Sequence, residues 1–114
     1  MPNLKTVTIK DLNARDISFM NAFSFCNSID NFTMENVKNA DITALLLFST
    51  VNNLTLKNCS FVSINSAFVG LDTEVIDLST CDLSKCTNMT SAFQQLKCHT
   101  IKMKGQIPSD ADVS

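Results

Sequence analysis

The chain repeats one alternating pattern of apolar and polar residues, and this repetition constrains the fold more than any single motif. The pattern is clearest in residues 75–96, where Ile76 and Leu78 are apolar while Asp77 and Ser79 are polar. Alternation of this kind predicts a β-strand that buries one face. We therefore expect each repeating unit to begin with a strand.

The residues after this strand complete one unit. Cys81 and Leu83 continue the spacing L-x-L-x-x-N/C-x-L, which is typical of leucine-rich repeats. Apolar residues then recur at steps of three and four, at Met89, Ala92, Phe93 and Leu96. These steps predict a short helix or helical turn that packs over the strand.

Equivalent positions recur along the whole chain. The apolar strand pairs are Val7/Ile9, Phe32/Met34, Leu54/Leu56, Ile76/Leu78 and Ile101/Met103. A third column contains Leu12, Val37, Cys59 and Cys81, a fourth contains Phe23, Phe48, Phe68 and Phe93, and a fifth contains Cys26, Val51, Leu71 and Leu96. These columns predict an α/β repeat fold: a small leucine-rich-repeat solenoid with a parallel β-sheet of about five strands and short helical or irregular return paths.

The predicted domain is single and covers residues 1–105. Its units are residues 4–28, 29–53, 54–74 and 75–98, and a final strand follows at 99–105. Residues 106–114 are polar and acidic, and we expect them to form a flexible tail. A chain of 114 residues, of which 45% are hydrophobic, can bury enough surface for one core.

The turns must be built with little glycine, since the chain has only two glycines. Its twelve asparagines are expected to take the turn positions, because asparagine tolerates left-handed backbone. Asp16 and Asp41 each precede apolar residues at helical spacing. We expect their carboxylates to cap the return paths of the first two units.

One segment also follows the pattern D-L-S-x-x-D-x-S-x-V-T-N-M-x-x-M-F. The matching residues are Asp77, Leu78, Ser79, Asp82, Ser84, Thr87, Asn88, Met89 and Phe93. The segment resembles the repeat of bacterial BspA-like leucine-rich surface proteins. The match covers about one unit, and Cys86 and Ala92 replace the valine and the second methionine of that pattern. The resemblance implies a binding or adhesion scaffold with a curved parallel sheet, and no catalytic residue.

Composition argues against nucleic acid and membranes as partners. The net charge is −2, and the chain has no basic run and no tyrosine or tryptophan for base stacking. The longest apolar run, residues 44–48, is too short to span a bilayer, and the N-terminus has no apolar signal segment. We expect a cytoplasmic protein, located in the host cytoplasm if a phage encodes it. Exposure on a cell surface is expected only if the sequence lacks its signal.

The five cysteines are expected to be reduced thiols, because Cys26, Cys59 and Cys81 fall in buried columns and five is an odd number. The alternative is a metal site formed by Cys81, Cys86, Cys98 and His99. Their spacing matches no standard zinc module, and adjacent residues of a strand point to opposite faces. Packing is the favoured interpretation, and no cofactor is expected.

Enzyme signatures are missing from the sequence. The single histidine, His99, has no accompanying nucleophile motif, and no glycine-rich phosphate loop is present. His99 is interpreted as an exposed strand residue. We expect no catalytic activity.

The exposed face of the predicted sheet is the candidate binding site. Outward side chains form two adjacent columns that contain Thr8 and Lys10, Thr33 and Glu35, Thr55 and Lys57, Asp77 and Ser79, and Lys102 and Lys104. This face is either simply solvated or it binds a protein. The favoured hypothesis is a non-catalytic protein–protein interaction module.

Two further hypotheses concern partners. A small acidic solenoid without a secretion signal also suits a phage or mobile-element protein that inhibits a host defence enzyme. In addition, the first strand is β-prone and lacks a cap. We expect a second copy of the chain or the physiological partner to cover this edge, and a homodimer is the expected state of the isolated protein.

Overall fold

The computed structural model of the protein describes residues 5–103. Over this range the chain forms seven strands and no helix, so it contains no helix that could cross a membrane. The strands are β1 (Thr6–Asn13), β2 (Ile29–Lys38), β3 (Ala40–Asp41), β4 (Val51–Lys57), β5 (Phe61–Ser63), β6 (Val75–Leu78) and β7 (Thr100–Met103). Lys104 and the predicted tail at 106–114 lie outside the described residues.

The strands stack as successive rungs of a β-solenoid. β1, β2 and β4 pair in parallel, β6 and β7 form a second parallel pair, and β3 and β5 pair on another side of the coil. The pairing aligns Val7 with Phe32 and Ile9 with Met34, as the sequence columns predict. The predicted repeat solenoid is confirmed. We name its four turns coil 1 (residues 6–28), coil 2 (29–50), coil 3 (51–72) and coil 4 (73–97).

The prediction of helical return paths is wrong. Each return path is a run of tight turns, in which an N–H group donates to the carbonyl three residues before it, as Ala22 does to Phe19. The intervening N–H groups donate to the next coil: those of Asn21, Phe23 and Phe25 bond to the carbonyls of Thr43, Leu45 and Leu47. A helix bonds its own backbone groups, so it could not supply these bonds between coils.

A side-chain turn begins each return path. The Asp41 carboxylate accepts a hydrogen bond from the N–H of Thr43 at 3.0 Å. Strand bridges align Asp41 with Ser18, Ser63 and Asn88, whose side chains accept from the N–H two residues later in the same way. Asp41 therefore makes a turn rather than a helix cap. In coil 1 this position belongs to Ser18 and not to Asp16.

The predicted phenylalanine column is displaced by two residues in coil 2. The N–H of Phe23 donates to the carbonyl of Leu45, and the N–H of Leu46 donates to the carbonyl of Ala67. These bonds align Phe23 with Leu46 and Leu46 with Phe68 in successive coils. Leu46 is therefore the inward residue, with 0% of its surface exposed. Phe48 is 46% exposed and its ring stacks on that of Phe25.

Ser49 takes the inward position that the sequence columns assigned to Val51. Its buried hydroxyl donates to the carbonyl of Phe23 at 2.6 Å and accepts from the N–H of Cys26 at 3.1 Å. Val51 instead pairs with Ile29 at the start of the next rung. The serine thus connects coil 1 to coil 2 by hydrogen bonds that valine could not make.

Thr73 continues the column of Ile29 and Val51 into coil 4. This alignment follows from the bridge between Thr50 and Asp72, the residues just before Val51 and Thr73. Thr73 is 6% exposed, and its hydroxyl has no hydrogen-bond partner among the described residues. A hydroxyl without a partner in a column of aliphatic side chains is destabilising, because it has lost its bonds to water.

Left-handed backbone occurs in every coil, at eleven non-glycine residues of the described range. Five of these positions are Asn or Asp, namely Asp11, Asn21, Asn36, Asn39 and Asn58, which agrees with the expected use of asparagine in place of glycine. Ala44, with φ of 53°, and Phe48, with φ of 52°, occupy the same conformation without a polar side chain to favour it.

We expect Ala44→Gly to stabilise the fold by about 0.5–1 kcal/mol, because glycine adopts positive φ without steric cost. Thermal and urea unfolding measure this change. Ala67→Gly is the matched control, since Ala67 is a buried return-path alanine of coil 3 without positive φ. It should destabilise the protein. Destabilisation of similar size by both variants would contradict strain at Ala44.

We expect Thr73→Val to stabilise the protein by about 1–3 kcal/mol, because it removes a buried hydroxyl without a partner and keeps the shape of the side chain. Ser49→Ala is the contrasting variant. It should cost about 1–3 kcal/mol, because it leaves the buried groups of Phe23 and Cys26 unpaired. Urea denaturation measures both changes, and a loss of stability in Thr73→Val would show that its hydroxyl is bonded.

Candidate protein-binding surface

The exposed face of β1, β2 and β4 carries six side chains in register. One row contains Thr8, Thr33 and Thr55, and the adjacent row contains Lys10, Glu35 and Lys57. We call these six residues the sheet ladder. Paired strands lie about 4.8 Å apart, so the backbone fixes the spacing of the ladder side chains. The two columns predicted from sequence are present on these three strands.

The polar groups of the sheet ladder are largely free. Within the described part of the chain, the hydroxyls of Thr8, Thr33 and Thr55 form no hydrogen bond with other side chains or with the backbone. Lys10 and Glu35 form one ion pair at 3.7 Å, and both side chains are substantially exposed. Such a surface pair contributes less than about 1 kcal/mol. The ladder therefore offers donors and acceptors that a partner can use.

The same face continues on β6 and β7 with different chemistry. The hydroxyl and the N–H of Ser79 both donate to the Asp77 carboxylate. These bonds lower the pKa of Asp77, and nearby Lys102, with which Asp77 pairs across the strands, lowers it further. Asp77 and Ser79 thus bond each other and are less available than the threonines. Lys104, the last predicted member, lies outside the described residues.

A gap in the sheet lies between β4 and β6, and sequence analysis did not predict it. No strand pairing joins β4 to β6, although bridges hold the flanking residues together, at Thr50–Asp72 and at Ser60–Asp82. The gap opens a cleft of about 360 Å³, with Thr55, Lys57 and Asp77 among its lining residues. Paired residues are 22 positions apart between β2 and β4, and the bridged residues that flank the gap are also 22 positions apart. The repeat length therefore does not reveal the gap.

A row of turn side chains borders the sheet ladder. The Nδ2 of Asn36 donates to Oδ1 of Asp11 at 2.9 Å, and the N–H of Asn58 donates to Oγ1 of Thr80 at 3.0 Å. Asp11, Asn36 and Asn58 all have left-handed backbone at the end of the exposed strand segment. These bonds tie successive coils together and fix the edge of the exposed face.

A second cleft, of about 470 Å³, lies apart from the sheet ladder, and its lining residues include Asp72, Glu74, Lys97 and His99. His99 is exposed, as predicted, and its Nδ1 lies 2.9 Å from the Glu74 carboxylate. The side chains are 79% and 68% exposed. An ion pair in water contributes little to stability.

The cysteines divide into buried and partly exposed groups. Cys26, Cys59 and Cys81 are buried, as the sequence columns predict. A hydrogen bond with Cys59, together with burial, raises the pKa of the Cys81 thiol. The alternative metal set of Cys81, Cys86, Cys98 and His99 is not brought together: among residues 5–103, no three His, Cys, Asp or Glu side chains form a group that could hold a metal ion.

Comparison of the chain with protein-family models, with curated proteins and with solved structures finds no match. The resemblance of the fourth unit to the BspA-like repeat therefore stays a hypothesis, as does the adhesion function that it implies.

Proposed function

We propose that the protein is a non-catalytic interaction module that binds a protein partner through the exposed face of its parallel sheet. The observation that carries this proposal is the sheet ladder, with its free threonine hydroxyls in register. A partner can bond to such a row of hydroxyls at one fixed spacing.

The rigidity of this face favours binding. The strands beneath it are hydrogen bonded on their shared edges, and the turns at their ends are tied by the Asn36 and Thr80 side chains. Binding to an ordered surface avoids much of the entropic cost of immobilising side chains and loops. The ladder therefore presents its donors and acceptors already positioned.

The charges of the face indicate the chemistry of the partner. Lys10, Glu35 and Lys57 alternate in sign along one row, and Lys102 adds a positive charge on β7. A complementary surface places carboxylates opposite the lysines and a basic side chain opposite Glu35. Hydroxyl and amide groups of the partner would bond to the threonine row. The proposed partner is thus a polar, mainly acidic protein surface.

Reversal of the three lysines tests the proposal. The variant Lys10→Glu, Lys57→Glu, Lys102→Glu should lose partner binding by about tenfold or more, because each new carboxylate faces an acidic group. The measurement is cross-linking of the purified chain in extract of its source cells, with mass spectrometry to quantify each captured protein. The proteins whose yield falls in the variant are the candidates.

The control keeps the same net charge. Arg15→Glu, Lys85→Glu, Lys97→Glu reverses three exposed basic residues off this face, so both variants go from a net charge of −2 to −8. Capture should be retained in the control. Equal capture by the wild type and the sheet variant would exclude the exposed face as the binding site.

A further inference from the structure

Within residues 5–103, coil 1 leaves the N-terminal end of the core partly exposed. Its inward residues Ile9, Leu12, Phe19 and Phe23 are partly exposed, whereas their counterparts in coil 2, Met34, Val37, Ile42 and Leu46, are fully buried. Phe93 occupies the position of Phe23 in coil 4 and is only 1% exposed. Among the described residues, the return path of coil 1 is therefore more exposed at this position than that of coil 4. An apolar end of this kind favours association.

No strand of the described residues pairs with the other edge of β1. The N–H of Asn31 donates to the carbonyl of Lys5. In a parallel ladder, alternate residues of a strand direct their backbone groups to the same neighbour, so the N–H and C=O groups of Lys5, Val7 and Ile9 face β2. The N–H and C=O groups of Thr6, Thr8 and Lys10 then point away from β2. An edge that exposes the backbone groups of three alternate residues can pair with another strand.

We propose that β1 pairs with β1 of a second copy, as an antiparallel dimer with its two-fold axis at Thr8. This axis places Thr8 opposite the partner's Thr8 and Thr6 opposite the partner's Lys10. All of these residues have edge-pointing groups, so each pair exchanges two backbone hydrogen bonds. The sheets of the two copies become one.

The side chains select this axis. It sets Val7 opposite the partner's Ile9 and Lys5 opposite the partner's Asp11, which matches apolar with apolar and positive with negative charge. An axis at Ile9 would set Val7 against a carboxylate, and an axis at Val7 would set Lys5 against an isoleucine. Only the axis at Thr8 satisfies both the hydrogen-bond pattern and the side chains.

The dimer closes rather than growing into a filament. Lys97 and Lys102 lie at the opposite end of the solenoid, and their like charges oppose pairing of β7. The return paths of the two copies of coil 1 face each other across the two-fold axis. Their carbonyl groups, such as that of Ala22, accept no hydrogen bond from an N–H of the described residues. Water bridges this part of the interface, and the dry contact is along β1.

Disulfide trapping of the full chain tests the dimer and its axis together. Thr8→Cys places two thiols directly opposite each other, within the distance that a disulfide requires. Thr6→Cys is the matched control, because Thr6 is exposed on the same face and edge but lies about 13 Å along the strand from its own copy in the partner. After brief oxidation with diamide, the covalent dimer of Thr8→Cys should exceed that of Thr6→Cys by about fivefold or more.

The wild type in the same oxidant gives the background from its native cysteines. Sedimentation of the reduced wild type should show a dimer at concentrations on the order of 100 µM. A strictly monomeric wild type overturns the proposal and leaves the edge to a different partner. A dimer that traps both variants equally overturns the axis at Thr8. Circular dichroism of each variant confirms that it is folded.

Discussion

Backbone hydrogen bonds between coils are the constraint on which the rest of the structure depends. In the return paths of coils 1 to 3, some N–H groups bond within the turn and the alternate ones bond to the next coil, as those of Ala44 and Leu46 do to coil 3. This arrangement requires left-handed residues at fixed places, and the chain supplies them with asparagine and serine as well as with Ala44 and Phe48. The turns give up some local stability, and the ladder between coils restores it.

The strands were predictable and the return paths were not, for a physical reason. Alternation places Ile9 and Met34 inward whatever lies above them, so the strand columns could be aligned correctly. Steps of three and four residues, however, also fit consecutive tight turns that send every third or fourth side chain inward. The apolar run at 44–48 then contains no polar residue to fix its register, and Phe48 was placed inside where Leu46 belongs.

The candidate surface was likewise predictable only in part. Alternation alone places Thr8, Thr33 and Thr55 outward, so the ladder could be read from the sequence. Whether their hydroxyls are free depends on neighbours in space, which a sequence does not show. The proposed dimer joins the two surfaces, because Thr8 belongs both to the ladder and to the open edge of β1. Two copies paired at Thr8 would present a continuous ladder of twice the length.

The gap between β4 and β6 has a consequence for how the molecule opens. Coils 1 to 3 share an uninterrupted sheet, whereas β6 and β7 are attached to them through the return path, at bonds such as Phe68 to Ala92, and through the bridges that flank the gap. A segment with fewer strand bonds to the core can detach without unfolding the remainder. We therefore expect two cooperative units of unequal stability, in which the amide protons of β6 exchange through a smaller opening than those of β2.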